Sequence, residues 1–286
     1  MRVFWAMAGF LAITLARTAS AAEPQTTISP TQLVREVVYN ELHDHASHGY
    51  WRYWIEHRTH EGSSREEQVE TPDGPVNRLM QENGQPLSDQ QSRDEQVRLD
   101  QLLHSPSEQA RQRQEHIEDE NRIGRIVALL PEAFLYEYAG EENGCHRLRF
   151  HPNPNYPAHS IEARIFHAMS GELWVDARYK RLARLDGTLG ENVDFGFGIL
   201  GRLYKGGWFR LVRTQVSPSD WKTAQLEVHL SGRAMLFKTI AKETSEVRGG
   251  FTPAPTGMNV EQAIFFLKVP ENRAVLATPA SLGSLR

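Results

Sequence analysis

The sequence predicts an α+β fold in which a curved antiparallel sheet, an incomplete β-barrel, is covered by helices and carries a helical insertion. In residues 160–251, apolar and polar residues alternate in short segments, which is the period of strands with one buried face. Turn signals such as Ser170-Gly171 and Ser217-Pro218 separate these segments, so consecutive strands are expected to pair antiparallel. Segments with helical spacing and N-cap residues precede this meander.

The first 21 residues have the pattern of a secretory signal peptide. Arg2 is followed by the apolar run 3–16 and then by Ala19-Ser20-Ala21, the order of a basic start, an apolar core and a small-residue cleavage site. A membrane anchor is the alternative, but the run is shorter than the roughly 20 residues of a spanning helix and Arg17 ends it. We therefore expect residues 22–286 to form one exported domain, periplasmic or secreted, without a transmembrane segment.

Composition limits the classes of partner. Of 286 residues, 40% are hydrophobic and 24% are charged, as in ordinary globular proteins. Removing Arg2 and Arg17 leaves 30 basic and 36 acidic residues, so the formal charge changes from −4 to −6, which argues against nucleic acid as the partner. Cys145 is the only cysteine, so no internal disulfide can form, and we expect its thiol to be buried rather than reactive.

The first segments predict a helix and then strands. Ser29-Pro30-Thr31-Gln32 combines an N-cap Ser, a Pro in the first turn and a Gln three residues later, so a helix is expected from there to about His45. The segment 50–58 predicts a strand with aromatic residues on both faces, and hence partial cover on each side. Asp73-Gly74 separates two further segments that predict a hairpin.

Residues 88–130 predict a helical insert. Ser88-Asp89-Gln90-Gln91 and Ser105-Pro106-Ser107-Glu108 are capping boxes that open two helices, the second ending at about Leu130. Residues 108–122 are almost wholly charged or polar, so we expect this half of the second helix to project into water. The apolar residues that follow at helical spacing are expected to dock its other half on the core.

The rest of the chain predicts an antiparallel meander. Ile161, Ala163 and Ile165 are expected to begin it. The alternation of Leu226, Val228 and Leu230 with polar residues, followed by Ser231-Gly232 and then by Met235 and Phe237, predicts a hairpin that turns at Ser231-Gly232. Residues 260–269 fit either an edge strand or a short helix. Strands are predicted at 133–139, 146–150, 172–177, 181–186, 195–203, 208–216, 222–230 and 233–242.

This order of elements resembles that of the LolA/LolB-like superfamily of periplasmic lipoprotein carriers, and in particular its uncharacterised secreted bacterial members. The segments that carry the resemblance are 171–176 (GELWVD), 180–189 (KRLARLDGTL), and Trp208-Phe209 leading into Ser219-Asp220-Trp221. The resemblance implies a half-barrel in residues 22–286 whose concave apolar face is covered by helices. It also implies that this cavity shields the acyl chains of a lipoprotein.

The main functional prediction is a non-enzymatic cell-envelope protein, without a cofactor, that binds a lipid, a lipoprotein or another amphiphile in an apolar cavity. An apolar pocket of this kind gains about 0.8 kcal/mol for each methylene that it buries. The alternative is that the same side chains fill a core and bind no ligand. The candidate cavity residues share one strand face and are Leu173, Val175, Leu226, Val228 and Leu230.

Two other functions remain open. A metal-dependent hydrolase would use the His-rich segment 41–60, with His43, His45 and His48 as ligands, although His43 and His45 are two apart and point to different sides of a helix. No HExxH or Gly-x-Ser-x-Gly motif accompanies them, and a solvated helix end, whose His residues suit the negative end of the helix dipole, is the favoured explanation. The insert 88–130 would instead suit an adaptor that grips another envelope protein. The oligomeric state is left open.

Overall fold

The computed structural model describes residues 28–43, 49–195, 201–234 and 238–268. The predicted signal peptide, residues 1–21, lies outside them. Five described helices are present: α1 (Pro30–His43), α2 (Asp89–His104), α3 (Pro106–Ala133), α4 (Ile161–His167) and α5 (Val260–Lys268). In the described part of the chain, no helix combines the length and the hydropathy that crossing a bilayer requires.

The described strands form one open antiparallel sheet, which confirms the predicted α+β class. They are β1 (Tyr50–Thr59), β2 (Gly62–Val69), β3 (Val76–Glu82), β4 (Gln85–Pro86), β5 (Phe134–Glu142), β6 (Cys145–Pro152), β7 (Met169–Asp176), β8 (Leu182–Leu189), β9 (Val193–Phe195), β10 (Gly201–Leu203), β11 (Trp208–Gln215), β12 (Trp221–Ala234) and β13 (Lys238–Ala254). Their order is β4-β3-β2-β1-β13-β12-β11-β8-β7-β6-β5, and the hairpin β9–β10 pairs with the end of β12.

The predicted N-caps begin the first three helices. Ser29 Oγ accepts a hydrogen bond from the Gln32 amide at 3.2 Å. Ser88 and Gln91 form the reciprocal capping box, and Ser105 accepts from the Glu108 amide. The end of α3 differs from the prediction, because the helix continues through Pro131 to Ala133. A proline this close to a helix end removes only one of the last intrahelical bonds, so the helix tolerates it.

Residues 161–165 belong to the helix α4. The prediction that they begin the meander is therefore wrong. Ser160 caps this short helix by accepting from the Ala163 amide at 3.1 Å. The buried residues are Ala163 and Phe166, three apart, which is a helical rather than a strand spacing. The alternation of Ile161 and Ile165 around Ala163 was misleading, since Ile161 is exposed.

The hairpin predicted to turn at Ser231-Gly232 turns later. β12 continues straight through these residues, which pair with Ala241 and Ile240 of β13. A Cβ on Gly232 would lie 2.4 Å from the carbonyl oxygen of Arg202, so this glycine allows β10 to approach rather than making a turn. Residues 235–237, with Met235 and Phe237, lie outside the described residues. The prediction of a single strand at 195–203 is wrong, because its ends belong to β9 and β10, which pair antiparallel with Gly201 opposite Phe195. Residues 196–200 between them lie outside the described residues. Of the two possibilities for residues 260–269, the helix is observed.

Cross-strand neighbours define two faces of the sheet, because residues directly opposite each other place their side chains on the same face. One row runs through Leu148, Leu173, Leu185, Leu211, Leu226, Glu246 and His57. We call the face that carries this row the inner face and the other the outer face. Along β1, Tyr53 and Ile55 share the inner face with His57, whereas Arg52 and Trp54 lie on the outer face.

Helices cover the inner face at one end of the sheet. There α1, the last turns of α3, and α4 pack on β5, β6 and β7. The apolar stripe of α1 is buried against residues such as Leu148 and Val175, which have no exposed surface. This cluster is a close-packed core, in which removing a side chain leaves a cavity.

The outer face is covered at the opposite end. Val69 lies opposite the outer-face residue Arg52, and it packs with Val76 against α2 and α5. Arg52 is itself buried, paired with Glu67 and 5.1 Å from the ring centroid of Phe266. Since Trp51, Tyr53 and Ile55 form a third cluster on the inner side, β1 is covered on both faces, as its aromatic residues predict.

Candidate functional site

The five predicted cavity residues lie on the inner face, but in two different environments. Leu173 and Val175 are 6% and 0% exposed and belong to the core beneath α1 and α3. Leu226, Val228 and Leu230 are half-buried. The shared face therefore joins a filled core to a less covered region.

That less covered region is an apolar strip on β11 and β12. It consists of Phe209, Leu211, Leu226, Val228 and Leu230, all half-buried inner-face residues. None of them belongs to the hydrophobic clusters formed by the described residues. The Phe209 ring covers Gly187 on the neighbouring strand, where a Cβ would lie 2.2 Å from the ring. The apolar strip is therefore a continuous surface that the described helices leave partly open.

A polar cavity of about 660 Å³ lies beside the strip, between the inner face and the helices α1 and α3. This volume falls within the range of roughly 300–1,000 Å³ that is usual for small-molecule pockets. Unlike the predicted apolar cavity, it is lined largely by charged and aromatic side chains. The side chains most important for its chemistry are Glu41, Tyr53, Glu70, Arg213, Lys222 and Arg248.

Glu41 joins the last turn of α1 to β8 and β11, in the middle of the sheet. Its carboxylate accepts hydrogen bonds from Arg181 at 3.1 Å, from the Leu182 amide at 3.2 Å, and from Arg213. Arg213 also donates to the carbonyl oxygen of Trp221 at 2.6 Å. The side chains of Glu41 and Arg213 are 14% and 15% exposed, so solvent screens this pair only partly.

Glu70 holds the opposite wall of the cavity. Its carboxylate accepts both a 2.8 Å bond from Lys222 and a 3.1 Å bond from the Trp51 amide. Tyr53 donates its hydroxyl proton to the same carboxylate at 3.4 Å and accepts from Gln68. Burial, and then the negative charge of Glu70, raise the pKa of the Tyr53 phenol far above its usual value. Tyr53 is therefore a neutral hydrogen-bonding group and not a proton carrier at neutral pH.

Arg248 of β13 and two residues of α3 also line the cavity. Arg248 donates to Glu246 at 2.5 Å, and Glu246 also lies 3.5 Å from His57. His116 on α3 lies 3.3 Å from Glu120, and both line the cavity. Most of residues 108–122 are exposed, as predicted, but the side of α3 that bears His116 and Glu120 closes the cavity.

The polar cavity and the apolar strip meet along two strands. On β11, Arg213 lines the cavity, and the next inner-face residues are Leu211 and Phe209 of the strip. On β12, Thr223 lines the cavity and is followed, after a bulge, by Leu226. Successive residues on one face of a strand are about 7 Å apart. A molecule with a polar end and an apolar end would therefore contact both regions.

The His-rich segment gives no sign of a metal site in the part of the chain that the structure describes. Among those residues, no three His, Cys, Asp or Glu side chains form a group that could hold a metal ion. The ring of His43 stacks on Tyr39, and its Nδ1 lies 2.9 Å from the Tyr39 carbonyl oxygen. His45 and His48 lie outside the described residues. The hydrolase hypothesis therefore gains no support.

Cys145 is half-buried at the start of β6. Burial raises the pKa of its thiol, and the nearby carboxylates of Asp176 and Glu142 raise it further. The thiol is therefore protonated at neutral pH, which makes it a poor nucleophile.

The residues of the polar cavity could not be identified from the sequence. Glu41 and Arg213 are 172 positions apart, and Glu70 and Lys222 are 152 apart. No local spacing or motif links such pairs. The one available signal was charged residues on the otherwise apolar face of a strand, such as Arg213 two positions after Leu211.

Comparison with known proteins identifies no family. No family model matches the chain, and no curated protein matches it. Among solved structures, the chain is similar to a DUF1329 family protein from Desulfovibrio piger, with 11% identity and a TM-score of 0.29, over 81% of this chain and 96% of that one. A likeness of this size carries no conclusion about function.

Proposed function

We propose that this is a non-enzymatic protein of the cell envelope, exported to the periplasm or beyond, that binds a lipid, a lipoprotein acyl chain or another amphiphile on the inner face. The observation that carries the proposal is the apolar strip, which begins where the charged cavity ends. The strip would take the acyl chain, and Leu226, Val228 and Leu230 would contact it. Leu173 and Val175 would instead support the strip from within the neighbouring core.

Two further points support this proposal. An open antiparallel sheet with helices on its inner face is compatible with the resemblance to the LolA/LolB-like carriers. Each acyl methylene buried on the strip would contribute about 0.8 kcal/mol, so a chain covering several strip residues would bind without any polar contact.

A pair of adjacent substitutions tests the proposal. Leu211 and Val212 are neighbours on β11 and are both half-buried, but Leu211 lies on the inner face and Val212 on the outer face, opposite Arg184. Leu211→Glu should weaken the binding of a fluorescent fatty acid about tenfold or more, because it places a charge in the acyl path. Val212→Glu should leave the affinity within about twofold, since its carboxylate faces water and Arg184.

Fluorescence titration gives the affinities, and circular dichroism shows whether both variants keep the strand content of the wild type. Mass spectrometry of a lipid extract from the purified protein provides an independent measurement. Equal losses of affinity in the two variants would contradict binding on the inner face. No binding by the wild-type protein, together with no co-purifying amphiphile, would contradict the function itself.

The adaptor function is favoured by one observation on α3. Ile117 and Ile123 are 43% and 62% exposed on the insert. If they contact another envelope protein, the double substitution to Ser should abolish its capture in a pull-down while fatty-acid binding is unchanged. Unchanged capture would contradict a docking surface that depends on these two side chains.

A further inference from the structure

We propose that the polar cavity recognises a phosphate ester that carries an amine, as in a zwitterionic phospholipid headgroup. This inference rests on the proposed amphiphile binding and adds to it the chemical class of the ligand. The acyl chain would lie on the apolar strip, and the headgroup would enter the cavity.

Three of the four Arg and Lys side chains that line the cavity can donate hydrogen bonds to a phosphate. Arg213, Lys222 and Arg248 come from the adjacent strands β11, β12 and β13, and all three line the cavity. Each is held by a carboxylate and is between 15% and 28% exposed. A guanidinium has five N–H donors and an ammonium three, so each has donors beyond those that hold it in place. Fixed cations that are only partly solvated make strong charge-assisted hydrogen bonds to phosphate oxygens.

The carboxylates of the same lining favour a ligand that also carries a positive charge. Glu41 and Glu70 lie directly beside Arg213 and Lys222, so a bare anion that reached these cations would also meet two negative charges. An amine on the same ligand would pair with those carboxylates. Tyr50, Tyr53 and Trp221 also line the cavity, and aromatic rings attract cations through their faces.

The position of the cavity fits a headgroup rather than a separate ligand. Arg213 and Leu211 are consecutive inner-face residues of β11, so they are about 7 Å apart along the strand. A phosphate bound at Arg213 would therefore place an attached acyl chain at the start of the strip.

Lysolipids with one acyl-chain length separate the contributions of headgroup and chain. We expect lysophosphatidylethanolamine to displace a fluorescent fatty acid at a concentration about tenfold or more below that of the monoacylglycerol, since charge-assisted hydrogen bonds are added. Lysophosphatidic acid, which has the phosphate without the amine, should bind less tightly than lysophosphatidylethanolamine. O-phosphoethanolamine, which has no chain, should bind far more weakly than either lysolipid.

A matched pair of double variants tests the role of the cavity. Glu70→Gln with Lys222→Gln neutralises one ion pair of the lining, with an isosteric change at Glu70 and a shorter side chain at Lys222. Arg184→Gln with Asp186→Asn likewise neutralises a pair on the outer face, whose atoms are 2.5 Å apart, with an isosteric change at the acid and a shorter side chain at the base. The preference for lysophosphatidylethanolamine should fall to within about twofold of the monoacylglycerol only in the cavity variant.

The outcomes distinguish this inference from the proposed function. Equal affinities for lysophosphatidylethanolamine and the monoacylglycerol would overturn the headgroup assignment and leave acyl binding intact. So would equal affinities for lysophosphatidic acid and lysophosphatidylethanolamine. Binding of O-phosphoethanolamine as tight as that of the lysolipid would support the headgroup site and contradict the role of the strip. No binding of any of these compounds would overturn both.

Discussion

The two ends of the inner face have the same strand pattern but different surroundings. On β6 and β7, Leu148, Leu173 and Val175 lie beneath α1 and α3 and are almost completely buried. On β11 and β12, Leu211 and Leu226 continue the same cross-strand row, but no described helix packs over them and they remain half-exposed. Alternation within a strand therefore determines which face is apolar, whereas the position of the helices determines whether that face is a core or a binding surface.

The polar cavity lies at the boundary between these two regions. Glu41, near the end of α1, is bonded to Arg213 of β11, so the last turn of the helix that covers the core also begins the charged site. Charged side chains therefore lie at the edge of the core that adjoins the strip.

The largest effect that separates the two ends is expected from truncation of matched leucines. Leu173→Ala should lower the free energy of unfolding by about 2–5 kcal/mol, because it leaves a cavity in a closed core. Leu226→Ala, in the same row, should cost only about 1 kcal/mol. The Leu226 side chain is only half-buried, so its removal leaves no closed cavity. Urea denaturation measures both values. Equal costs would show that the strip is as well covered as the core.

Gly→Ala substitutions at two positions test the same difference between the closed and open ends of the inner face, with a smaller expected change in stability. A Cβ on Gly171 would lie 1.9 Å from the backbone oxygen of Asp186, so Gly171→Ala must move a strand and should cost about 1–3 kcal/mol. A Cβ on Gly187 would instead meet the half-buried Phe209 ring, which can rotate into the open strip at a cost of about 0.5–1.5 kcal/mol. Gly190→Ala serves as the control, because its nearest atom is 3.7 Å away. We expect the melting temperature to fall most in Gly171→Ala, less in Gly187→Ala and least in Gly190→Ala. A larger fall in Gly187→Ala than in Gly171→Ala would contradict the claim that the strip is the more open region.

The smallest effect is expected on the outer face, opposite the strip. Burial tends to raise the pKa of Asp186, but hydrogen bonds from Arg184 and Arg210 outweigh it and lower that pKa. A lowered pKa stabilises the fold above the unfolded-state value of about 3.9, and this contribution is lost as the pH falls through the folded-state value. Asp186→Asn should therefore cost about 0.2–1 kcal/mol at neutral pH, as expected for a partly exposed pair, and progressively less at acid pH.

Unfolding of the wild type and of Asp186→Asn in urea, at several pH values from neutral to below the unfolded-state pKa, measures this difference. A difference that grows as the pH falls would contradict the assigned sign. A loss of fatty-acid binding in this variant would contradict the separation of the two faces.

Most of the fold follows from local signals in the sequence. Ser29, Ser88 and Ser105 act as helix caps where their spacing predicts them, and Asp73-Gly74 turns the hairpin between β2 and β3. The predictions of secondary structure are wrong where one local pattern is compatible with two structures. Ser231-Gly232 has the composition of a turn, but its glycine admits a neighbouring strand. Ile161 and Ile165 alternate like strand residues, but Ser160 caps a helix.

The candidate site was only partly predictable. Its apolar half followed from strand alternation, which correctly assigned Leu226, Val228 and Leu230 to one face. The burial of Leu173 depends on α1 and α3, which pack over it. Strand periodicity does not predict where these helices pack. The charged half depends on contacts between residues more than 150 positions apart, such as Glu70 and Lys222, which a single sequence does not reveal.

Photochemical labelling tests most directly whether the open end of the inner face, rather than the closed end, binds an acyl chain. The full-length protein would be irradiated with a diazirine-bearing fatty acid, with and without an excess of unlabelled fatty acid, and the adducts mapped by mass spectrometry. We predict competed adducts in peptides from β11 and β12, around Leu211, Leu226 and Val228. Competed adducts confined to β6 and β7, or labelling that unlabelled fatty acid does not reduce, would contradict the account.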